Sequence, residues 1–366
     1  MIIGLYFAAA IVLIYCIYIC FIALKVTPDI SINEPIVNQK ISIIIPCRNE
    51  SKNIGLSLKS ISLQSYPKSN IEVIVVNDYS EDNTVTEALK YKDIVNLIIL
   101  DNKEAGKKGA LTLGIQKAQN NIIITTDADC VFHRDWVLSM VNDFEEHQLN
   151  MLCGPIQFKA LNSIFTKLQQ AESAAIVGIS AAMLNAQMPA TCNGANLIFN
   201  KLIFEQIGGY TSHQNIATGD DDLLMHTFYK LDNKKVKYTM NKNAMVTASA
   251  NMSFTEFLKQ RSRWLAKRSF YIFKYNQYLQ LLIFFHLMSF YLLIIWCVFS
   301  FNYLALLCIV LKYGIDILYG LKLKQIFNFK LSLILWMPFY QLYIFRVLLY
   351  AKFNTIEWKG RLVQNK

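Results

Sequence analysis

Residues 2–24 carry no charged side chain, and no other feature of this 366-residue chain narrows its folding choices so far. In hydrocarbon every backbone N–H and C=O must be satisfied within the segment. A run of this length, enough to cross about 30 Å, is therefore committed to helix. Only the amino terminus supplies positive charge before the run, and Lys25 follows it, the wrong order for a cleaved leader. The run reads as an uncleaved anchor.

Three more apolar stretches lie near the carboxyl end, at 278–301, 303–321 and 331–350. The second carries Lys312 and Asp316, four apart on one helical face, a spacing that allows a pair inside a bundle. The third holds Pro338 and Arg346, which predicts a kinked, re-entrant or interfacial helix. Lys322, Lys324 and Lys330 place the loop between them in the cytosol. A count of four spans would then export the tail with Lys352, Lys359, Arg361 and Lys366, against the same rule, so the tail's side stays open.

A charged share of 17% against an apolar share of 54% agrees with a membrane protein. The net charge of +10 suits anionic lipid or phosphate, with nucleic acid as the competing explanation. The eight cysteines form no C-x-x-C pair and no zinc-spaced cluster, so they read as reduced, mostly buried thiols on the cytosolic side. The expected organisation is an anchor at 1–25, a linker at 26–40, a soluble domain at 41–252, an amphipathic interfacial segment at 253–276, membrane or re-entrant helices at 277–352 and a basic tail at 353–366.

Within the soluble domain, short β-branched runs at 41–45, 73–76, 95–100 and 122–126 alternate with helix-like segments, the pattern of an α/β open parallel sheet. Ligands of such sheets sit beyond the carboxyl ends of the strands. Polar clusters stand there: Pro46, Arg48, Asn49 and Glu50 after the first run, Asp78 after the second, Gly106-Lys107-Lys108-Gly109 after the third, and Asp127-Ala128-Asp129 after the fourth. Taken singly, each has an ordinary explanation as a turn, a helix cap or a solvated loop. Two carboxylates one residue apart after an apolar strand also suit a hard divalent cation that grips a diphosphate.

Downstream, Thr218-Gly219-Asp220-Asp221-Asp222 places three acids at a helix start, where one would satisfy the dipole and crowding raises a carboxyl pKa toward general-base use. His226 follows, a lone histidine read as structural. Gln260-Arg261-Ser262-Arg263-Trp264 then sits in a basic aromatic stretch with Lys259, Lys267, Arg268 and Lys274, which reads as a helix lying on anionic headgroups. That places much of the positive charge at the membrane and demotes nucleic acid.

The ordered set of Pro-x-Arg-Asn-Glu, a second-strand Asp, D-x-D and Q-x-x-R-W resembles the membrane-bound family 2 glycosyltransferases, the group that includes cellulose, chitin and hyaluronan synthases. The resemblance runs from Ile41 to Trp264 and loosely on to Trp358-Lys359-Gly360-Arg361. It implies a GT-A fold, an open mixed sheet, and an inverting transfer from a nucleotide diphosphate sugar, a UDP-sugar for preference, at the cytosolic face of the cell membrane. It implies that Pro46, Arg48, Glu50, Asp78, Lys107 and Asp127 line the nucleotide site, that Asp129 with Asp127 holds Mg2+ or Mn2+, and that Gln260, Arg263 and Trp264 close the site over diphosphate and acceptor. The family's Thr-Glu-Asp base motif aligns in two ways, making either Asp221, which is preferred, or Asp220 the base. A lipid-linked or glycan acceptor receiving one sugar is the first expectation, polymer synthesis the second. A nucleotide-binding transporter and a lipid phosphotransferase or nucleotidyltransferase are the competing classes. The latter does not explain the Q-R-S-R-W segment.

Overall fold

The computed structural model describes residues 2–28, 35–211, 219–266, 270–358 and 361–363. Thr218, Lys267, Arg268, Lys359, Gly360 and Lys366, named above, lie outside them.

Helix α1 (Ile2–Lys25) precedes a domain that runs β1 (Ile41–Cys47), α2 (Ile54–Ser62), β2 (Ile71–Asn77), α3 (Thr84–Leu89), β3 (Leu97–Asp101), α4 (Lys107–Lys117) and β4 (Ile122–Thr125). It continues through β5 (Val131–Phe132), α5 (Trp136–Glu146), β6 (Met151–Cys153), β7 (Ile156–Lys159), α6 (Ile164–Asn185), β8 (Leu197–Asn200), α7 (Lys201–Gln206), α8 (Asp222–Leu231), β9 (Val236–Tyr238) and β10 (Val246–Ser249). The remainder is α9 (Phe254–Ala266), α10 (Tyr275–Ser300), α11 (Tyr303–Leu323), α12 (Met337–Gln341), α13 (Tyr343–Phe353) and a backbone hairpin of β11 (Ile356–Trp358) and β12 (Arg361–Val363).

The main sheet has the order β3-β2-β1-β4-β8-β6-β9. Strands β3, β2, β1 and β4 are parallel, and every residue of β1 is buried, as a strand covered on both faces requires. At β8 the direction reverses: it pairs antiparallel with both β4 and β6. The sheet is thus mixed, as the resemblance implied, and the four runs read from sequence form its parallel part. A second, small sheet of β5, β10 and β7 lies beside it. Helix α4 packs on β1 and β2 through Gly114, where an added Cβ would meet Ile44 Cγ2 at 2.5 Å and Val76 Cγ2 at 3.1 Å. Gly114→Ala is expected to destabilise the domain by about 1–3 kcal/mol, the usual cost of overpacking. A thermal unfolding midpoint in detergent no lower than that of the parent would disprove this.

Among the described residues, four segments are long and apolar enough to cross a membrane: Ile2–Lys25, Tyr275–Ser300, Tyr303–Leu323 and Leu331–Phe353. The last is broken, as Pro338 foretold, into a 3-10 turn (Leu331–Trp336), α12 and α13. Inside the bundle Lys312 Nζ lies 2.7 Å from Asp316 Oδ2, and Tyr15 OH donates to Asp316 Oδ1 at 2.9 Å, joining α1 to α11. Tyr15 also stacks on His286 of α10 at 3.6 Å. The first helix does more than anchor. Its Ile19 and Ile22, with Val26 beyond it, join the hydrophobic core of the sheet domain, and Tyr18 OH reaches Met183 Sδ of α6 at 3.2 Å. These helices flank a soluble α/β domain, so the protein is an integral membrane protein whose α/β domain is cytosolic.

Candidate active site

The carboxyl ends of β1, β2 and β4 face one cavity of about 240 Å³. Its wall includes every residue singled out for the site: Pro46, Arg48, Glu50, Asp78, Lys107, Asp127, Asp129, Asp220, Asp221, Gln260, Arg263 and Trp264. These positions span more than two hundred residues of sequence, and the folding of the sheet is what gathers them.

One of them prepares another. Asp78, 2% exposed, accepts hydrogen bonds on one oxygen from Asn102 Nδ2 at 2.8 Å and from the Gly106 N–H at 2.9 Å. Gly106 holds φ at +123°, a conformation open to glycine, and delivers the chain into α4 with Lys107 as its first residue. Asp78 therefore fixes the loop that aims Lys107. Glu50 caps its own turn, its N–H donating to Thr84 Oγ1 at 2.7 Å and its carboxylate accepting from Asn53 Nδ2 at 2.7 Å.

Lys107 bridges two elements. Its Nζ lies 2.8 Å from Asp127 Oδ1 and 2.9 Å from Asp220 Oδ2. Burial works against the ammonium, but the two carboxylates outweigh it and hold its pKa well above the usual lysine value. Gly194 permits this approach: a Cβ there would come within 3.0 Å of Asp220 Oδ2 and 3.4 Å of Lys107 Nζ. The signal for Gly194 was present in Asn193-Gly194-Ala195-Asn196, a turn between two apolar segments, but composition alone did not tie it to the site.

The three adjacent acids separate completely. Asp222 is fully buried and accepts from Thr191 Oγ1 at 2.7 Å, from the Cys192 N–H at 2.8 Å and from Tyr271 OH. It is a structural tie, and the crowding expected of three acids is relieved by sending it inward. Asp220 faces Lys107. Asp221 caps α8, its Oδ1 accepting the Asp222 N–H at 2.7 Å, and it lines both the polar cavity and a second cavity of about 200 Å³. His226 is buried on α8 with Nε2 3.1 Å from the Ala190 carbonyl oxygen, a structural histidine as read.

On α9, Gln260, Arg263 and Trp264 share one face at i, i+3 and i+4 spacing and close the polar cavity. Burial draws the Arg263 guanidinium down to about 10, opposed by Asp220 and Asp127, which leaves it a cation at neutral pH. Arg261 corrects the headgroup reading of this helix. It is 5% exposed, paired with Glu172 of α6, and faces protein. Glu172 escaped notice in the sequence, although it is the one acid in α6 and stands among small and apolar residues.

Comparison with known proteins adds the family. Residues 42–208 match the family model described as Glycosyl transferase family 2. A poly-beta-1,6-N-acetyl-D-glucosamine synthase from Staphylococcus aureus is 28% identical over 245 residues, 66% of this chain and 57% of that protein. The same enzyme from Staphylococcus epidermidis is 28% identical over 227 residues, 61% of this chain and 53% of that one. The matches thus span little more than half the length of these curated relatives. The solved mannosyltransferase PcManGT from Pyrobaculum calidifontis, in complex with GDP-Man and Mn2+, shares the fold with a TM-score of 0.61 at 18% identity, covering 96% of this chain and 97% of that one. With a GT-A-like mixed sheet, an acidic and basic pocket at its strand ends and the family match across that region, residues 42–208 form a glycosyl transferase family 2 region, in a chain whose long apolar helices are consistent with a membrane-bound member.

Proposed function

We propose that this glycosyltransferase is a processive synthase that extends an N-acetylglucosamine polymer from UDP-N-acetylglucosamine, the second of the two acceptor expectations drawn from sequence. The observation that carries the proposal is Trp264, which borders three cavities at once. The polar donor pocket meets the second cavity at Ile156, Phe158, Asn193, Asp221 and Trp264. The second meets a third, about 290 Å³ and walled by α1, α10, α11 and α13, at Ile176, Ile179, Arg261 and Ile283. A polymerase must keep its product bound while advancing it, and successive cavities leading from the donor pocket into the membrane helices supply room for that. The staphylococcal relatives, by their printed activity, favour the same reading. The carboxyl-terminal spans do not wall this cavity alone: α1 adds Tyr15, Tyr18 and Ile19.

The chemistry follows from the charges. The acceptor hydroxyl approaches at Asp221, which takes its proton as the new C–O bond forms at the anomeric carbon and the bond to the donor diphosphate breaks with inversion. Arg263 faces the negative charge that grows on the leaving diphosphate, and Lys107 holds Asp127 and Asp220 in place around it. Among the described residues no three His, Cys, Asp or Glu side chains form a self-sufficient metal cage. A carboxylate donor set in a phosphate pocket still fits Mg2+ or Mn2+, which complete their shells from water and substrate oxygens. Asp129, on the cavity wall two positions beyond Asp127, is the residue we assign to hold the cation. When bound, that cation offsets charge on the diphosphate.

The test is a donor screen on purified protein with UDP-N-acetylglucosamine, UDP-glucose and GDP-mannose, followed by mass spectrometry of glycan and lipid products. Turnover of UDP-N-acetylglucosamine to a ladder of oligomers is expected, abolished by EDTA and restored by Mg2+ or Mn2+. A product carrying one added sugar on lipid would overturn the polymer reading, and EDTA-resistant transfer would overturn the metal assignment.

A further inference from the structure

Arg261 lies inside the Q-x-x-R-W motif at one of its unspecified positions, yet it touches the residues on either side of it. Its NH1 donates to Gln260 Oε1 at 3.3 Å, and its guanidinium carbon stands 4.2 Å from the Trp264 ring centroid. Phe257, one turn earlier, closes the other contact at 4.7 Å. The guanidinium is held in turn by Glu172, which its NH2 reaches with a hydrogen bond. Glu172 also accepts from Tyr340 OH at 3.0 Å and from Tyr343 OH, side chains of α12 and α13 in the broken Leu331–Phe353 segment. One chain of contacts therefore runs from the last membrane segment through Glu172 and Arg261 to the indole that separates the donor pocket from the cavity among the helices.

We infer that Arg261 is a positioning residue that acts through Trp264, setting the ring at the junction of the cavities under the control of Tyr340 and Tyr343. The alternative is that Arg261 merely neutralises a buried carboxylate. The two differ in what they ask of the side chain. Neutralising Glu172 needs a positive charge, which lysine supplies. Stacking on Trp264 while donating to both Gln260 and Glu172 needs a planar fork with several donors, which lysine lacks. Arg261 does not line the donor pocket, so its loss has no direct route to nucleotide binding.

The inference rests on the transferase reading for its kinetic arm, while its spectroscopic arm does not. Arg261→Lys is expected to lower transfer at saturating donor by about 10-fold to 100-fold, the scale of a small misplacement near a reacting centre. The donor KM should stay within about twofold, a kcat effect without a KM effect. In a Trp264→Phe background the same substitution should cost less than about twofold, since the two act as one unit. Tyr343→Phe, which keeps its ring against Phe257, should give a smaller loss of about threefold with the same pattern. Independently of turnover, Arg261→Lys should change tryptophan emission, and the change should vanish when Trp264 is phenylalanine. Full transfer by Arg261→Lys, equal losses in both backgrounds, or unaltered emission would each reduce Arg261 to a charge partner of Glu172. If the parent protein turns over no donor sugar, the transferase reading fails by itself, and the emission comparison still decides the role of Arg261.

Discussion

Asp221→Asn is expected to lower sugar transfer by about 10²-fold to 10⁴-fold, the range for losing a general base, with UDP binding held within about twofold. The expectation rests on how the structure sorts three adjacent acids. Asp222 is committed to Thr191, Cys192 and Tyr271, and Asp220 to Lys107, whereas Asp221 faces the junction of the donor pocket with the next cavity. Asparagine keeps the oxygen that caps α8 by accepting the Asp222 N–H, so the helix start should survive and the loss should report on chemistry. Initial rates of UDP release and a calorimetric UDP titration measure the two quantities. Near-parental rates in this variant, with the full loss appearing instead in Asp220→Asn, would move the base to Asp220.

Lys107→Met should cut transfer by about 100-fold and, unlike the previous variant, weaken UDP binding as well. One ammonium sits within hydrogen-bonding distance of Asp127 and Asp220, and removing it leaves two carboxylates facing each other in a part-buried pocket. The sign of the accompanying pH effect follows. The variant loses a cation that the parent keeps charged well past neutral pH, so the site as a whole holds protons more readily. The acidic limb of the pH–rate profile is therefore expected to move upward. Lys107→Arg, which retains the charge, should recover part of the loss. A variant profile that overlays the parent's would mean that the ion triad does not bear on the reaction.

How far the site could be read in advance depended on where its information resides. Strand β1 announces itself as an apolar run with polar residues directly behind it, and the same holds at β2 and β4. Behind those strands, Arg48 and Glu50, Asp78, and Asp127 with Asp129 line the cavity. Strand direction is another matter. Leu197–Asn200 is as apolar as Ile122–Thr125, and nothing in a four-residue run tells whether its neighbour will be parallel or antiparallel. The register with β4 and β6 settles that by long-range pairing. Arg261 and Arg263 illustrate a second limit. Two residues apart on a basic amphipathic helix, they look equally suited to lipid headgroups. Their separate fates depend on Glu172, Asp220 and Asp127, acids at least forty residues away along the chain. The Lys312–Asp316 pair, by contrast, was legible because both partners lie on one helical turn.

The way α1 is built into the molecule bears on how such a protein can be handled. Tyr15, Tyr18 and Ile19 wall the inner cavity, while Ile22 and Val26 sit within the core of the sheet domain. Trimming the chain to begin past Lys25, the usual route to a water-soluble fragment, would not release an intact catalyst from its tether. It would breach the chamber behind Trp264 and bare a greasy flank of α6, so preparations meant to retain turnover have to carry the leading helix in detergent or lipid.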